Sequence, residues 1–202
     1  MLGRVWAMGV LRRILIGTGG RQETGPFERM TPRALTKGAK EAMADLRARL
    51  DAGVPDGPAR AQAVTCLETA DTVLREFVHR GKNVYYGGWG EYFLVIVLCR
   101  TGRTALETGV PVDGTAPYCW HDPLHGQAAG SLELEMDGEA RPRPLCGDCL
   151  EEARAEKAPR ERVLRLPYIN GGWTTYLGST YFDERRGLDH LLRRVEERRR
   201  AR

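Results

Sequence analysis

The first half of the chain repeats apolar residues at the spacing of buried helix faces. Thr31-Pro32 has the form of a helix N-cap followed by proline at the first helical position. The first stripe contains Leu35, Ala39, Ala42, Met43, Leu46 and Leu50, with Gly53 after its last turn. The second stripe begins after Pro58, ends at Gly81 and contains Ala63, Cys66, Leu67, Ala70, Val73, Leu74 and Phe77. These spacings predict two helices, each with one buried face, and place the Cys66 thiol in the core.

A third apolar segment lacks this periodicity. Tyr92–Cys99 is apolar without interruption, so its pattern fits a buried helix or a buried strand. The length of the whole segment, Glu91–Glu107, and the helix formers after the apolar run favour a helix at the centre of the fold. Gly102 and the Val-Ile-Val triplet argue against it. Three helices joined by short loops predict an antiparallel bundle over residues 31–109.

The second half changes to the pattern of a hairpin. Ser131–Met136 alternates apolar residues with glutamates, which is typical of a half-buried strand. Asp137-Gly138 is a hairpin turn signal, and Ala140–Leu145 forms the returning strand. Leu150–Lys157 follows as a short predicted helix. The sequence therefore predicts a β-hairpin with a helix attached.

The last segment has an amphipathic pattern. Asp183 is a candidate N-cap for a final helix with Leu188, Leu191, Leu192 and Val195 on one side. The helix ends in a basic run, which suits a helix C-terminus. His190 lies on this helix and is expected at the surface.

The charge of the chain is uneven, although its net value is only +4. Residues 1–22 contain four arginines and no acidic residue, and residues 184–202 contain eight arginines against four acidic residues. The body between them is mildly acidic. Such basic ends can contact nucleic acid, an anionic membrane or an acidic partner, or they can be solvated termini.

Hydropathy and the N-terminus predict a cytoplasmic protein without a transmembrane segment. The longest apolar run, Tyr92–Cys99, is far shorter than the ~20 residues needed to span a bilayer. The N-terminal apolar run is interrupted by Arg12-Arg13 and has no small-residue cleavage site after it. Hydrophobic residues make up 42% of the chain and charged residues 29%, which is typical of a globular domain.

Cysteine and histidine residues cluster around the hairpin. Cys119-Trp-His-Asp-Pro-Leu-His125-Gly precedes it, and Cys146-Gly-Asp-Cys149 follows it. The two-residue gap of the second pair is that of metal-binding knuckles, and Zn²⁺ prefers four tetrahedral Cys or His ligands. The pattern predicts a structural zinc site that supplies stability to a treble-clef or ribbon-like module.

Three ligands of this site are Cys119, Cys146 and Cys149, and the fourth is one of two histidines. Asp122-Pro123 can turn the chain so that His125 points back at the metal, which makes His125 the predicted ligand. His121 is the alternative, and otherwise lies behind the ligands or faces solvent. A reduced metal-free cluster or a Cys146–Cys149 disulfide are the remaining interpretations, but a disulfide leaves Cys119 and the histidines unexplained.

The same residues resemble a module of uncharacterised actinobacterial proteins. That module carries Cys-x-x-Asn-Pro-Leu-His-Gly and a later Cys-x-x-Cys pair. The resemblance covers roughly residues 117–153 and implies Cys119, His125, Cys146 and Cys149 as zinc ligands, with Asp122 in place of the asparagine. It brings no activity with it.

Two aromatic segments share the pattern Gly-Gly-Trp-x-x-Tyr. Trp89 and Tyr92 belong to the first, and Trp173 and Tyr176 to the second. The two copies predict a matched interaction surface, either a peptide groove or an oligomer contact. The alternative is coincidence, because glycine and aromatic residues commonly occur together in loops.

These patterns predict a mainly α protein: an antiparallel helical bundle, then a zinc-stapled hairpin module and a basic C-terminal helix. The predicted divisions are an N-terminal segment 1–30, the bundle 31–109, the zinc module 117–158 and an aromatic and basic segment 159–202. The leading functional hypothesis is a non-enzymatic scaffold or adaptor that self-associates or binds a protein partner. The alternatives are a nucleic-acid-binding or regulatory protein with Arg-rich ends, and a metal-dependent hydrolase or nuclease. A nucleobase deaminase is excluded because neither histidine begins the required His-x-Glu.

Overall fold

Helices account for most of the computed structural model, which describes residues 30–78, 88–136, 139–155, 163–167, 173–175, 182 and 187–201. Within these residues the α-helices are α1 (Pro32–Asp51), α2 (Pro58–Thr72), α3 (Gly88–Thr108), α4 (Gly147–Ala155) and α5 (Leu188–Arg200). The strands form two antiparallel pairs, β1 (Gly130–Met136) with β2 (Glu139–Leu145), and β3 (Arg165–Pro167) with β4 (Trp173–Thr175). The predicted mainly helical fold with a small hairpin is confirmed. No helix in the described part of the chain has the length and apolar character to cross a membrane.

The first helix begins at the predicted cap. The Thr31 hydroxyl accepts a hydrogen bond from the Ala34 N–H at 3.2 Å, and Pro32 occupies the first turn, where its missing N–H costs nothing. The predicted apolar stripe points into the core, with Leu35, Ala39 and Leu46 fully buried. Local capping and hydrophobic spacing are therefore sufficient to define α1.

The second helix changes its geometry before it reaches the predicted end at Gly81. After Thr72 the chain continues as a π-helix from Val73 to Val78, and residues 79–87 lie outside the described part. The widened turns keep Val73 and Phe77 buried. The prediction of a helix is confirmed up to Val78, but its last turns are of the π type rather than the α type.

The ambiguous apolar segment is a helix, as predicted, and begins three residues before Glu91. Every residue from Phe93 to Cys99 is buried, so this part of α3 is enclosed on all sides. It packs against α1 and α2 on one side and against the chain that follows it on the other. An enclosed helix has no polar face, which is why its sequence shows no period.

Gly102, which argued against a helix, marks the closest approach of α3 to its neighbours. A Cβ atom at this position would lie 3.0 Å from Leu46 Cδ2, 3.1 Å from Cys66 Cβ and 3.2 Å from Ala63 Cα. Two of these neighbours are atoms on or next to a backbone, which cannot move without shifting a helix. Glycine is present here because three helices meet.

We expect Gly102→Ala to destabilise the protein by about 1–2 kcal/mol, since overpacking outweighs the gain of about 1 kcal/mol in helix propensity. Urea unfolding followed by circular dichroism measures the change. Thr104→Ala, at an exposed position of the same helix, is the matched control and is expected to be neutral or slightly stabilising. Equal stability of Gly102→Ala and the control would show that the helices can separate at no cost.

The predicted hairpin is present with the predicted strands. β1 and β2 pair in a register that joins Gly130 to Leu145 and Met136 to Glu139, while the turn residues 137–138 lie outside the described part. Leu134 and Leu145 are fully buried on the inner face. Helix α4 starts at Gly147, three residues before the predicted start, so that Cys149 lies in its first turn.

The terminal helix differs from its prediction at two residues. Its N-cap is Gly187 rather than Asp183, which lies outside the described part. A side chain at Gly187 would collide with the Ala116 carbonyl, because residues 113–116 pass directly over this helix end. The expected surface position of His190 is wrong: its exposed fraction is 7%. The spacing of the leucines predicts one buried side of α5, but the first turn is also buried at His190.

Helix α5 is attached to the rest of the described chain at both of its ends. At its start, the Asp189 N–H donates to the Gly114 carbonyl at 2.9 Å, shortly after α3 has ended. Near its end, the Arg198 guanidinium donates to the buried Glu91 carboxylate in the first turns of α3. The two ends of α5 are thus held at opposite ends of the central helix.

Candidate metal centre

The first half of the site is a closed loop from Cys119 to Gly126. Tyr118 and Gln127 form an antiparallel bridge at its base, and the Cys119 N–H donates to the Gly126 carbonyl at 2.9 Å. Gly126 has φ +92°, a conformation that residues with side chains rarely adopt. The loop therefore folds back on itself, so that Cys119 and Gly126 at its two ends lie next to each other.

Asp122 shapes the inside of this loop. Its carboxylate accepts the Leu124 N–H at 2.8 Å and caps a short 3₁₀ turn from Pro123 to His125. Asp122 and Pro123 set the start of the turn, and His125 is directed back towards Cys119, as predicted. The turn thus follows from the ordinary capping preference of an Asp-Pro pair.

The second half of the site comes from the end of the hairpin. The Trp120 N–H donates to the Pro144 carbonyl and the Ala129 N–H donates to the Leu145 carbonyl, each at 2.7 Å, so the loop is attached to β2. Cys146 follows directly, and its carbonyl accepts the Leu150 N–H in the first turn of α4. The hairpin and this helix turn bring Cys146 and Cys149 to the loop.

The structure brings the four predicted residues Cys119, His125, Cys146 and Cys149 together. Their candidate ligand atoms all lie within 4.8 Å of one another, which is compatible with a metal ion. His125 Nδ1 is 3.2 Å from Cys149 Sγ and 3.9 Å from Cys119 Sγ. Ligands at about 2.3 Å (sulfur) and about 2.0 Å (nitrogen) from a tetrahedral zinc ion lie roughly 3.5–3.8 Å apart. The observed separations bracket that range.

The three thiols are buried, whereas the imidazole reaches the surface. Exposed fractions are 0% for Cys119, 8% for Cys146 and 5% for Cys149, against 30% for the His125 side chain. All five cysteines are free thiols, so the alternative Cys146–Cys149 disulfide is not formed. Three unoxidised thiols packed against an imidazole form a donor set suited to a soft or borderline metal ion.

Hydrogen bonding within the group favours a thiolate at one position. The pKa of Cys119 is lowered, chiefly because the Cys149 thiol donates a hydrogen bond to it, while burial opposes this effect. The pKa of Cys149 is raised, because the thiol proton is held in that hydrogen bond and because the side chain is buried. Burial also raises the pKa of Cys146. Binding of a cation would release these shared protons.

Sequence comparison offers no guide to this arrangement. No protein-family model, curated protein or solved structure matches the chain.

His121 does not join the group. It is buried, with an exposed fraction of 9%, so of the two positions expected for a histidine that is not a ligand, the solvent-facing one is excluded. Its carbonyl accepts the Leu164 N–H at 2.8 Å, which attaches the segment before β3 to the loop. Of the two candidate histidines, His125 is therefore the one that the fold directs at the cysteines.

The other two cysteines belong to the helical core. Cys66 and Cys99 are buried on facing helices, and burial raises the pKa of each thiol to about 12. Thiols of this kind are protonated at neutral pH and behave as small apolar side chains. The prediction of a core role for Cys66 is confirmed.

The aromatic repeat is only partly described. Trp89 and Tyr92 lie in the first turns of α3, are half-buried and have ring centroids 6.0 Å apart. Trp173 begins β4 and pairs through its backbone with Pro167, while Tyr176 lies outside the described residues. A shared surface of the two segments stays a prediction.

Sequence reasoning missed the residues that attach the loop to α3. Arg100 donates to the Leu124 carbonyl at 2.9 Å, and the Thr101 hydroxyl is 2.9 Å from the buried Tyr118 hydroxyl. Burial raises the pKa of Tyr118, so this hydroxyl keeps its proton for the hydrogen bond. Both helix residues directly follow the apolar run of α3. Polar residues directly after a buried apolar run were the one sign in the sequence that this end of α3 makes polar contacts.

A buried cation also lies beside the loop. Arg143 on β2 has an exposed fraction of 3%, and its guanidinium carbon is 3.8 Å from the centroid of the Trp120 ring. A buried guanidinium over an indole face gains a cation–π interaction. Arg143 therefore packs β2 against the ring of Trp120 in the loop. The alternation of apolar and polar residues in the hairpin does not predict it, because an arginine in a strand is normally expected to face solvent.

Proposed function

We propose that the protein is a non-enzymatic, zinc-stabilised scaffold. The observation that carries this proposal is the convergence of three thiols and one imidazole within 4.8 Å. Sulfur and nitrogen donors in this ratio favour Zn²⁺ over Mg²⁺, Ca²⁺ and Mn²⁺, which prefer oxygen ligands. The order of a ligand-bearing loop, a hairpin and a helix with two ligands near its start resembles that of a treble-clef module, which supports the proposal.

The ligand set supports a structural rather than a catalytic ion. Four protein ligands satisfy a tetrahedral zinc ion and leave no position for water or substrate. The three buried thiols would keep the ion out of contact with solvent. A metal-dependent hydrolase or nuclease needs an open coordination position, so the third hypothesis receives less support than the scaffold.

The module is attached to the helices by specific contacts. Gln62 on α2 bonds both polar groups of the Val112 backbone at 2.8 Å, which fixes the segment after α3. Arg100 and Thr101 then hold the loop itself. A metal-stabilised module fixed to a helical body forms a rigid platform, and a platform without an open metal position suits an adaptor.

The nucleic-acid alternative is less well supported by the arginines of α5. Arg198 and Arg199 pair with Glu91 and Glu76 of the helical body, and Arg200 pairs with Glu196 of its own helix. Phosphate-binding arginines are usually available to the ligand. DNA binding that weakens steeply with salt would nevertheless favour this alternative over the scaffold.

Self-association tests the scaffold directly. We expect the zinc-loaded protein to form a defined multimer in light scattering, and Trp89→Ala or Trp173→Ala to shift it towards the monomer if the aromatic repeat is the contact. Val110→Ser is the control, because it removes an exposed apolar side chain outside the repeat. A strict monomer that also binds no protein partner would contradict the scaffold.

A further inference from the structure

The two ring nitrogens of His125 face different groups. Nδ1 points at the thiols and lies 3.2 Å from Cys149 Sγ. Nε2 points away from them and lies 3.8 Å from Asp122 Oδ2. One nitrogen therefore faces the donor group and the other faces a carboxylate. This is the arrangement in which a second residue sets the tautomer of a metal-binding imidazole.

The carboxylate of Asp122 is held in place by its own turn. Oδ1 accepts the Leu124 N–H at 2.8 Å, which leaves Oδ2 directed at the imidazole. The side chain is 10% exposed, so its attraction for an N–H donor is less weakened by water than at the surface. Asp122 is thus oriented by the backbone before any ligand binds.

Arg100 connects this carboxylate to the central helix. Its guanidinium donates to the Leu124 carbonyl at 2.9 Å, within the same turn. Burial lowers the pKa of Arg100, and attraction to Asp122 opposes this effect. A charge on α3 therefore stabilises the charge of the residue that faces His125.

We propose that Asp122 is a positioning residue for the metal and that Arg100 supports it from α3. This inference rests on the proposed zinc centre. The negative charge of Asp122, whose Oδ2 lies 3.8 Å from Nε2, favours the tautomer that carries its proton on Nε2, so the Nδ1 lone pair faces the thiols. The nearby carboxylate also makes Nδ1 a stronger electron-pair donor to the metal. Through Arg100, retention of the metal is coupled to the helical body of the protein.

The first test compares Asp122→Asn with the wild-type chain, both loaded with zinc. Asparagine keeps an oxygen for the Leu124 N–H but removes the negative charge that faces His125. We expect zinc to transfer to a chromophoric chelator about 10- to 100-fold faster. Asp148→Asn is the control, because it removes the same kind of charge from an exposed residue between Cys146 and Cys149, whereas the carboxylate at His125 Nε2 is that of Asp122. Its transfer rate is expected to match wild type.

A spectroscopic readout separates positioning from general stability. In zinc-loaded protein with ¹⁵N-labelled histidine, we expect a metal-bound Nδ1 and a protonated Nε2 whose hydrogen exchanges slowly with water. Asp122→Asn is expected to speed that exchange while the fold is kept. A metal-bound Nε2 in wild type, or wild-type transfer and exchange in Asp122→Asn, would overturn the proposal. A wild-type chain that binds no zinc would overturn the zinc scaffold as well.

The role of Arg100 is tested by a double-mutant cycle. Arg100→Gln is expected to speed zinc transfer in the same direction as Asp122→Asn, and Arg100→Lys, which keeps the charge, less so. The two effects are expected to be less than additive when Arg100→Gln and Asp122→Asn are combined. Full additivity, or no effect of Arg100→Gln, would overturn the coupling through Asp122.

Discussion

Replacement of Cys146 by serine is expected to release about one equivalent of zinc and to unfold the hairpin module. Structural zinc contributes about 10–16 kcal/mol of binding free energy in small modules, so the loss of one of four ligands removes a large part of what holds such a module together. Metal analysis and amide hydrogen exchange over residues 117–155 measure the two effects. Chelation of the wild-type protein is expected to have the same result.

A matched cysteine variant controls for the loss of a thiol as such. Cys66→Ala removes a buried thiol from the helical core, outside the metal group. It is expected to leave the zinc content unchanged while lowering stability by about 1 kcal/mol through the cavity it creates. A chelated wild-type protein with an unchanged unfolding midpoint would refute a structural metal.

The second large effect is expected at the far end of the chain. Arg198→Ala removes the guanidinium that donates a hydrogen bond to the Glu91 carboxylate, and the side chain of Glu91 is only 2% exposed. It also removes a cation from the face of Phe77, 4.6 Å from the ring centroid. Breaking a buried pair costs about 3–5 kcal/mol, and about 2–3 kcal/mol is expected here because Arg198 is 32% exposed.

Arg200→Ala is the control for this substitution. Arg200 is 79% exposed and pairs with Glu196 one turn away, so its loss is expected to change stability by less than about 0.5 kcal/mol. Thermal unfolding of both variants measures the difference. Equal midpoints would mean that the Glu91 carboxylate is satisfied without Arg198.

Elements with local causes could be predicted from the sequence. The cap at Thr31, the strands on either side of residues 137–138 and the turn that directs His125 at Cys119 each depend on a few neighbouring residues. The metal group belongs to this class, because two short motifs and one hairpin bring its members together. Residue type and spacing are then sufficient.

Features with distant causes could not be predicted in this way. The choice of Gly187 as the N-cap of α5 depends on residues 113–116, and the burial of His190 depends on what packs around the first turn. The need for glycine at position 102 arises from Leu46 and Ala63 on two other helices. Such contacts produce no periodic pattern in the sequence, because each partner residue is also compatible with an isolated helix or loop.

The contact between Glu91 and Arg198 joins residues 107 positions apart. Closing a loop of that size costs chain entropy that grows only with the logarithm of its length, whereas α1, α2 and α3 meet over much shorter separations. The helical body can therefore assemble from nearby contacts while α5 is still undocked, and α5 closes over it afterwards. In the reverse direction, undocking of α5 regains that entropy and uncovers the Glu91 carboxylate and the Phe77 ring, both of which Arg198 contacts, while the three-helix body can stay together.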